Sequence, residues 1–462
     1  MDRLRRLFKQ EPAYQPLEDG MTENDSSLPS TAPPSPHKRP TFSYIEYSIF
    51  LLLGVSMLWA WNMFLAAGPY FQHRFRTNDW ISNNFQAAEI SVSTITNLGS
   101  MLILTRLQKG ASYPKRIVTS LVMNMAVFGL LALFTEVFLS ISARGYFGFL
   151  MVMIFATSLA TGLCQNGIFA YVSGFGEPRY TQGIMTGQAI AGVLPCIAQI
   201  VSVLGVQGGG KAEDRPHQPP GEDGPPPRGP PPVNPGSAFA YFLTATVISV
   251  ATLIAFFYLL ARNRRPQELQ DANPDTTDEP EERKSIPLIV LFRKLFWLAS
   301  AVFITFGVTM VFPVFTQRIV SVRPHDQQPP LLQPPSFIPL AFLFWNAGDL
   351  IGRLITAVPS LSLIHRPRLI FLLAVLRIAF VGLYHLCNIR GKGAIVASDV
   401  FYLVVVQLLF GLTSGYLGST CMIGAGEWVE PEEREAAGGF MGLCLVAGLT
   451  IGSLASFFVA GG

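Results

Sequence analysis

FIPLAFLFWNAGDLIGRLITAVP, residues 337–359, is an apolar run of helix length with an amide, a carboxylate and a guanidinium in its middle: Asn346, Asp349 and Arg353. About 20 apolar residues suffice to cross a bilayer's hydrocarbon core. A charge at the centre of such a helix costs about 2.5–3.5 kcal/mol on insertion scales, so each one demands a partner away from lipid. Asp349 and Arg353 are four residues apart, one turn of an α-helix and a rise of about 6 Å. Asn346 shares their face, and Phe342 lies one turn earlier on it. The result is a polar stripe with an aromatic platform. Two uses are open: an ion pair locking two helices, or a substrate site. In the second, the carboxylate accepts from hydroxyl or amine donors while the guanidinium donates to oxygens.

Outward from this segment, the same pattern of long apolar runs recurs. The full set is eleven, at about 46–71, 83–105, 116–139, 147–173, 182–206, 237–261, 288–314, 336–357, 368–387, 398–425 and 436–458, numbered here as spans 1 to 11. The composition agrees: 50% of the 462 residues are hydrophobic and 14% are charged, against about 25% charged in soluble domains. Short alternating segments of about ten residues, which would mark a β-barrel, are absent. The fold class predicted is an all-α integral membrane protein. A net charge of +3 gives no footprint for nucleic acid. The five cysteines lie in apolar stretches without a CxxC pair, so they read as small hydrophobes and not as a disulfide or zinc framework. No P-loop, HExxH or GxSxG occurs, and no cofactor or metal is expected. The chain does not read as an enzyme. The polar, Pro-rich first 42 residues do not read as a cleaved signal peptide.

Lys and Arg placement orients the bundle. With the N-terminus cytoplasmic, the cytoplasmic segments hold 21 of these residues and the opposite loops 10, so the C-terminus is expected outside or luminal. The expected organisation is a disordered cytoplasmic tail (1–42), a six-helix bundle (43–261), a charged cytoplasmic linker (262–287) and a five-helix bundle (288–462). Between spans 5 and 6, residues 207–236 contain 10 Pro and 7 Gly and form an extended non-cytoplasmic loop. Two helix groups joined by a central linker suit alternating access, although a linker in any polytopic protein looks the same.

Other polar intrusions are weaker singly. Span 1 carries Trp61 and Asn62, with Gly68-Pro69 weakening its end. Span 4 carries Gln165-Asn166-Gly167. Span 5 opens GIMTGQAIAG, where Gly183, Gly187 and Gly192 read as a close-packing face. Gly439, Gly442, Gly448 and Gly452 read the same way in span 11. Arg377 in span 9 reads as a residue holding helices together. Glu89 in span 2 and Glu136 in span 3 are either proton-titrating groups or helix-end residues.

Taken in order, these pieces resemble the equilibrative nucleoside transporters. The resemblance is carried by W-x-W-N-M-F in span 1, Gln165-Asn166-Gly167, the GIMTGQAIAG run and FLFWNAGDLIGR. It continues with Arg377 to Asn388 in span 9, GLTSGYLGSTCM in span 10 and Glu433 to Gly438 at the entry to span 11. It implies a major-facilitator-like arrangement of six plus five helices that moves nucleosides, and in some members nucleobases, down their gradient. Carried over by position, it places a ligand-facing tryptophan on Trp61 with Leu65 one turn later, a base-reading glutamine on Gln165, and a ribose-binding pair on Asp349 and Arg353. Asn346 and Leu449 line the same cavity. Thr94, Asn97, Phe306 and Phe342 are further pocket positions.

The alternative is a related carrier for another small polar solute, such as a sugar or an organic cation. The loop between spans 1 and 2 is shorter than some family members carry, and the 207–236 loop is foreign to the pattern. Tyr14-Gln-Pro-Leu17 has the form of a sorting signal for a cytoplasmic adaptor, and the sequon at Asn24 is expected to be unused on that side. The resemblance leans to fungal, vacuolar or lysosomal members, acting as a monomer in the lipid bilayer. Glu89 is then the group through which protons would act.

Overall fold

In the computed structural model, residues 42–108, 110–137, 141–208, 235–271, 286–324 and 328–460 are described. The sorting tetrapeptide, the Asn24 sequon and most of the Pro/Gly-rich and charged segments lie outside them. Among the described residues, eleven helices are long and apolar enough to cross a membrane: Tyr44–Phe75, Asp79–Arg106, Tyr113–Glu136, Ala143–Gly174, Pro178–Val201, Ala238–Asn263, Leu288–Thr316, Pro334–Ile355, Pro367–His385, Phe401–Glu427 and Pro431–Ser456. Helices satisfy the backbone internally, as hydrocarbon requires. The sixth continues unbroken from Pro235 to Asp271, into the charged segment.

Local chemistry sets starts and breaks. The Asn78 side chain accepts from the Ile81 amide and caps span 2, and proline occupies the first turn of spans 3, 8 and 9, where its missing N–H costs nothing. Span 1 is interrupted at Ala67, ahead of Pro69. Span 9 is interrupted at Arg377 and Ile378. Span 10 begins as a π-helix over Phe401–Leu408, a widened turn that costs hydrogen-bond quality and needs side-chain support. Gln407 supplies it, donating to Thr316 Oγ1 at 2.8 Å and Tyr402 OH at 2.7 Å while accepting from Tyr384 OH at 3.0 Å.

Apolar burial divides the molecule into three cores. One contains residues of both helix groups: Phe50, Leu53, Met101, Phe169 and Met185 from spans 1–6, and Leu295, Val302, Leu417, Phe440 and Met441 from spans 7–11. The second is built from spans 1–4 and 6, around Phe71, Phe128 and Phe242. The third is built by spans 7–10, around Phe312, Phe337 and Phe410, and Ile200 of span 5 packs against it. Following each helix through its cores shows that the shared one lies at one end and the separate ones at the other. The two bundles are therefore joined at the end carrying Met185, Arg353 and Gly438, and their cores part toward the opposite end.

Candidate functional site

Span 8 turns its polar stripe toward span 5 of the other bundle. Arg353 Nε donates to Asp349 Oδ2 at 2.7 Å, the intrahelical pair that four-residue spacing allows. Its Nη1 donates across the seam to the Met185 carbonyl at 2.7 Å and to Gln188 Oε1 at 3.1 Å. Gln188 in turn donates from Nε2 to Met57 Sδ of span 1 at 2.8 Å. Asp349 is 3% exposed and Arg353 5%. A buried ion pair is costly unless its remaining donors and acceptors are met. Arg353 meets it through Nε and Nη1. Asp349 does not, because its Oδ1 is buried without a hydrogen-bond partner. That oxygen is an acceptor awaiting a donor.

Asn346 lies one turn from Asp349 and also faces span 5. Its Nδ2 donates to the Phe342 carbonyl at 2.9 Å and contacts Cys196 Sγ at 3.5 Å. Its Oδ1 stands where a Cβ on Gly192 would fall, so a side chain there would have to displace the Asn346 amide. Phe342 meets Phe312 edge-on at 5.0 Å between ring centroids. On span 1, Trp61 and Leu65 follow Met57 by one and two turns, which places them above the Gln188–Arg353 chain toward the parted end. Trp61 lies parallel to Phe64 at 6.3 Å, Asn62 donates to the Ala191 carbonyl at 2.7 Å, and Leu65 is 53% exposed.

Gln165 forms the second element. It is buried, and its Oε1 has no hydrogen-bond partner. One turn earlier Gly162 abuts Ser100 and Asn97 of span 2, and Asn97 Oδ1 is also buried and unpartnered. Thr94, one turn before Asn97, is half-buried. Leu449 packs at the margin of the shared core, and Phe306 lies against Gly418 inside the five-helix bundle. The structure thus brings Asp349, Arg353 and Asn346 together with span 5, and groups Gln165 with Asn97 between spans 2 and 4.

The remaining singled-out residues have distinct surroundings. Added Cβ atoms would fall 3.1 Å from the Tyr47 ring at Gly183 and 2.0 Å from the Leu51 carbonyl at Gly187. Arg377 is fully enclosed by its own bundle: it donates to Thr413 Oγ1, the Thr305 carbonyl, Thr309 Oγ1 and the Phe410 carbonyl, and stacks over the Phe410 ring at 4.6 Å. Asn166 donates to Thr105 Oγ1 and accepts from Arg116. Glu89 is buried. Gln188 and Gln407 escaped the reading of the sequence. The signal for both is a glutamine inside an apolar run, which in span 5 sits among the glycines of a close-packing face.

No group of three or more His, Cys, Asp or Glu among the described residues could hold a metal. The described residues offer unpartnered acceptors, Asp349 Oδ1 at the seam and Gln165 Oε1 and Asn97 Oδ1 between spans 2 and 4, suited to a ligand that brings hydroxyl and amino donors. A family model described as "Nucleoside transporter" matches residues 150–208 and 230–460. The yeast nucleoside transporter FUN26 from Saccharomyces cerevisiae is 28% identical over 95% of this chain and 88% of its own length. Human equilibrative nucleoside transporter 1 is 24% identical over 88% and 95%. Among solved structures, the major facilitator superfamily transporter FucP in its outward conformation superposes with a TM-score of 0.52 at 15% identity, covering 90% of this chain and 97% of that one. The human organic anion transporter MFSD10 gives 0.54 at 14%, covering 90% and 93%. At such identities the structures speak for the fold: two bundles of the major facilitator type. With the family model spanning both bundles, the chain belongs to the nucleoside transporter family.

Proposed function

We propose that this protein moves nucleosides by alternating access, with the ribose hydroxyls donating to Asp349 and the base held between Trp61 and Gln165. The carrying observation is Asp349 Oδ1, buried without a partner beside an Arg353 that reaches into the other bundle. A vicinal diol supplies the missing donors, and a base supplies a flat face and an edge that an amide can read. Phe342, Leu65, Leu449, Thr94 and Asn97 shape the pocket around that ligand, whereas Phe306 supports it through span 10. The Lys and Arg asymmetry supports a cytoplasmic joined end, with the other end opening outward or to a lumen. The Tyr14–Leu17 signal supports residence in an intracellular, vacuolar or lysosomal membrane.

The test is uptake of labelled adenosine and uridine into liposomes holding the purified protein, with and without an inward proton gradient. Saturable uptake that stops at equilibrium supports a facilitative carrier. Accumulation that requires the gradient supports proton coupling, with Glu89 as the residue through which it acts. Absence of uptake by folded protein overturns the substrate assignment.

A further inference from the structure

At the joined end, span 2 stops at Arg106, and two residues later the chain places Gln108, 8% exposed, against the first described residue after the charged segment. Gln108 Nε2 donates to the Ile286 carbonyl at 3.2 Å, and the Ile286 amide donates to Gln108 Oε1 at 2.8 Å. The side-chain amide thus pairs with both backbone polar groups of one residue. Its second N–H is met by the Thr105 carbonyl at 3.0 Å, so the group is fully satisfied. Arg116 fixes the turn that presents it, donating to the Leu104 carbonyl at 3.1 Å and the Leu107 carbonyl at 2.6 Å. Gln108 belongs to the six-helix bundle. Ile286 precedes Pro287, the N-cap of span 7, which opens the five-helix bundle.

We propose that the Gln108–Ile286 pair is a latch that holds the joined end shut and sets the resting balance between the two access states. The proposal rests on the alternating-access reading. Bundles that rock apart at this end lose both hydrogen bonds in one step, because both run to the same residue. The partners differ from those of the Arg353 seam. They involve spans 2 and 7 instead of 5 and 8, and no residue assigned to the ligand site. Apparent affinity at each face scales with the fraction of carrier open to that face. Weakening the latch therefore raises the half-saturation concentration at the parted end and lowers it at the joined end.

Two variants and two readouts test this. Gln108→Leu removes both bonds at similar size, and Gln108→Glu still accepts from the Ile286 amide but cannot donate to its carbonyl. The ratio of half-saturation constants at the parted and joined faces should rise about tenfold in Gln108→Leu, the shift expected when two net hydrogen bonds are lost, and by less in Gln108→Glu. A purely structural role lowers the maximal rate or the melting temperature and leaves the ratio alone; that result overturns the latch. The second readout needs no substrate: a Ser173→Cys reporter, whose position lies against Gly438 of span 11, is labelled with an impermeant thiol reagent from the joined side. Labelling should accelerate about tenfold in the Gln108→Leu background, although residue 108 does not touch the reporter. Unchanged labelling in both Gln108 variants overturns the proposal even if the unaltered protein moves a different solute. Absence of nucleoside uptake by the unaltered protein, with labelling accelerated in Gln108→Leu, counts against the substrate reading and not the latch.

Discussion

At the end carrying Met185, Arg353 and Gly438 the two bundles share one apolar core; at the end carrying Phe71, Phe128 and Phe315 they keep separate ones. The joined end is also where backbone meets backbone across the seam: a Cβ added to Gly438 of span 11 would lie 2.2 Å from the Phe169 carbonyl of span 4. Polar groups cross there too, through Arg353 to Met185 and Gln188 and through Gln108 to Ile286. The parted end stabilises each bundle internally, by aromatic stacking such as Phe134 on Phe149 at 4.1 Å and by the satisfied Gln407 network. A rocking carrier needs this division. Contacts that must break lie at one end, where directional polar bonds accompany a shared apolar core, while contacts at the other end stay within a bundle.

The largest expected effect comes from Asp349→Asn. It removes the acceptor charge and leaves Arg353 buried with half its electrostatic partner, a defect of about 3–5 kcal/mol. Nucleoside uptake should fall at least about a hundredfold, and the rise in melting temperature produced by bound nucleoside should vanish. Retained thermal stabilisation by adenosine or uridine would remove Asp349 from the site. Next is Gly438→Val, which cannot fit against the Phe169 carbonyl and should bar closure of the joined end. Overpacking of this kind costs about 1–3 kcal/mol, read as a lowered melting temperature and faster thiol labelling of that end. Gly129→Val, where an added Cβ meets nothing within 4 Å, is the control and should change neither.

Gln188→Leu tests whether the polar seam matters apart from the ligand. Arg353 keeps Asp349 and the Met185 carbonyl but loses one charge-assisted bond, worth about 1.5–3 kcal/mol, so transport should slow about tenfold with ligand-induced stabilisation retained. Gln165→Leu should act on recognition instead. A lost neutral hydrogen bond of about 0.5–1.5 kcal/mol weakens half-saturation about three- to tenfold, and unequally for purine and pyrimidine nucleosides. The smallest effect is expected for Glu89→Gln, with uptake unaltered in the absence of a proton gradient and any stimulation by the gradient abolished. Stimulation that survives the change would move proton coupling elsewhere.

Much of this was legible in the chain. Eleven apolar runs became eleven helices because hydrocarbon leaves the backbone no other means of satisfying itself. Asp349 and Arg353 could be paired from their spacing, since helical neighbours four apart must share a face. The partners across the seam could not. No periodicity within span 8 reveals that Arg353 reaches the Met185 carbonyl, and a main-chain acceptor leaves no trace in residue identity. Asn166 and Gln165 show the same limit: adjacent amides on one helix, of which one is satisfied by Thr105 and Arg116 and the other keeps a free oxygen.

The sequence by itself determined the membrane class, the number of spans, the polar stripe of span 8 and the family, all of which rest on local composition and order along one chain. Tertiary structure decided which end of the bundle pair is joined, that Arg353 and Gln108 bridge the bundles, and which buried acceptors stay unpaired. Those facts depend on distances between residues as far apart as Gln108 and Ile286, 178 positions along the chain, and only the folding of both bundles brings such groups within hydrogen-bonding reach.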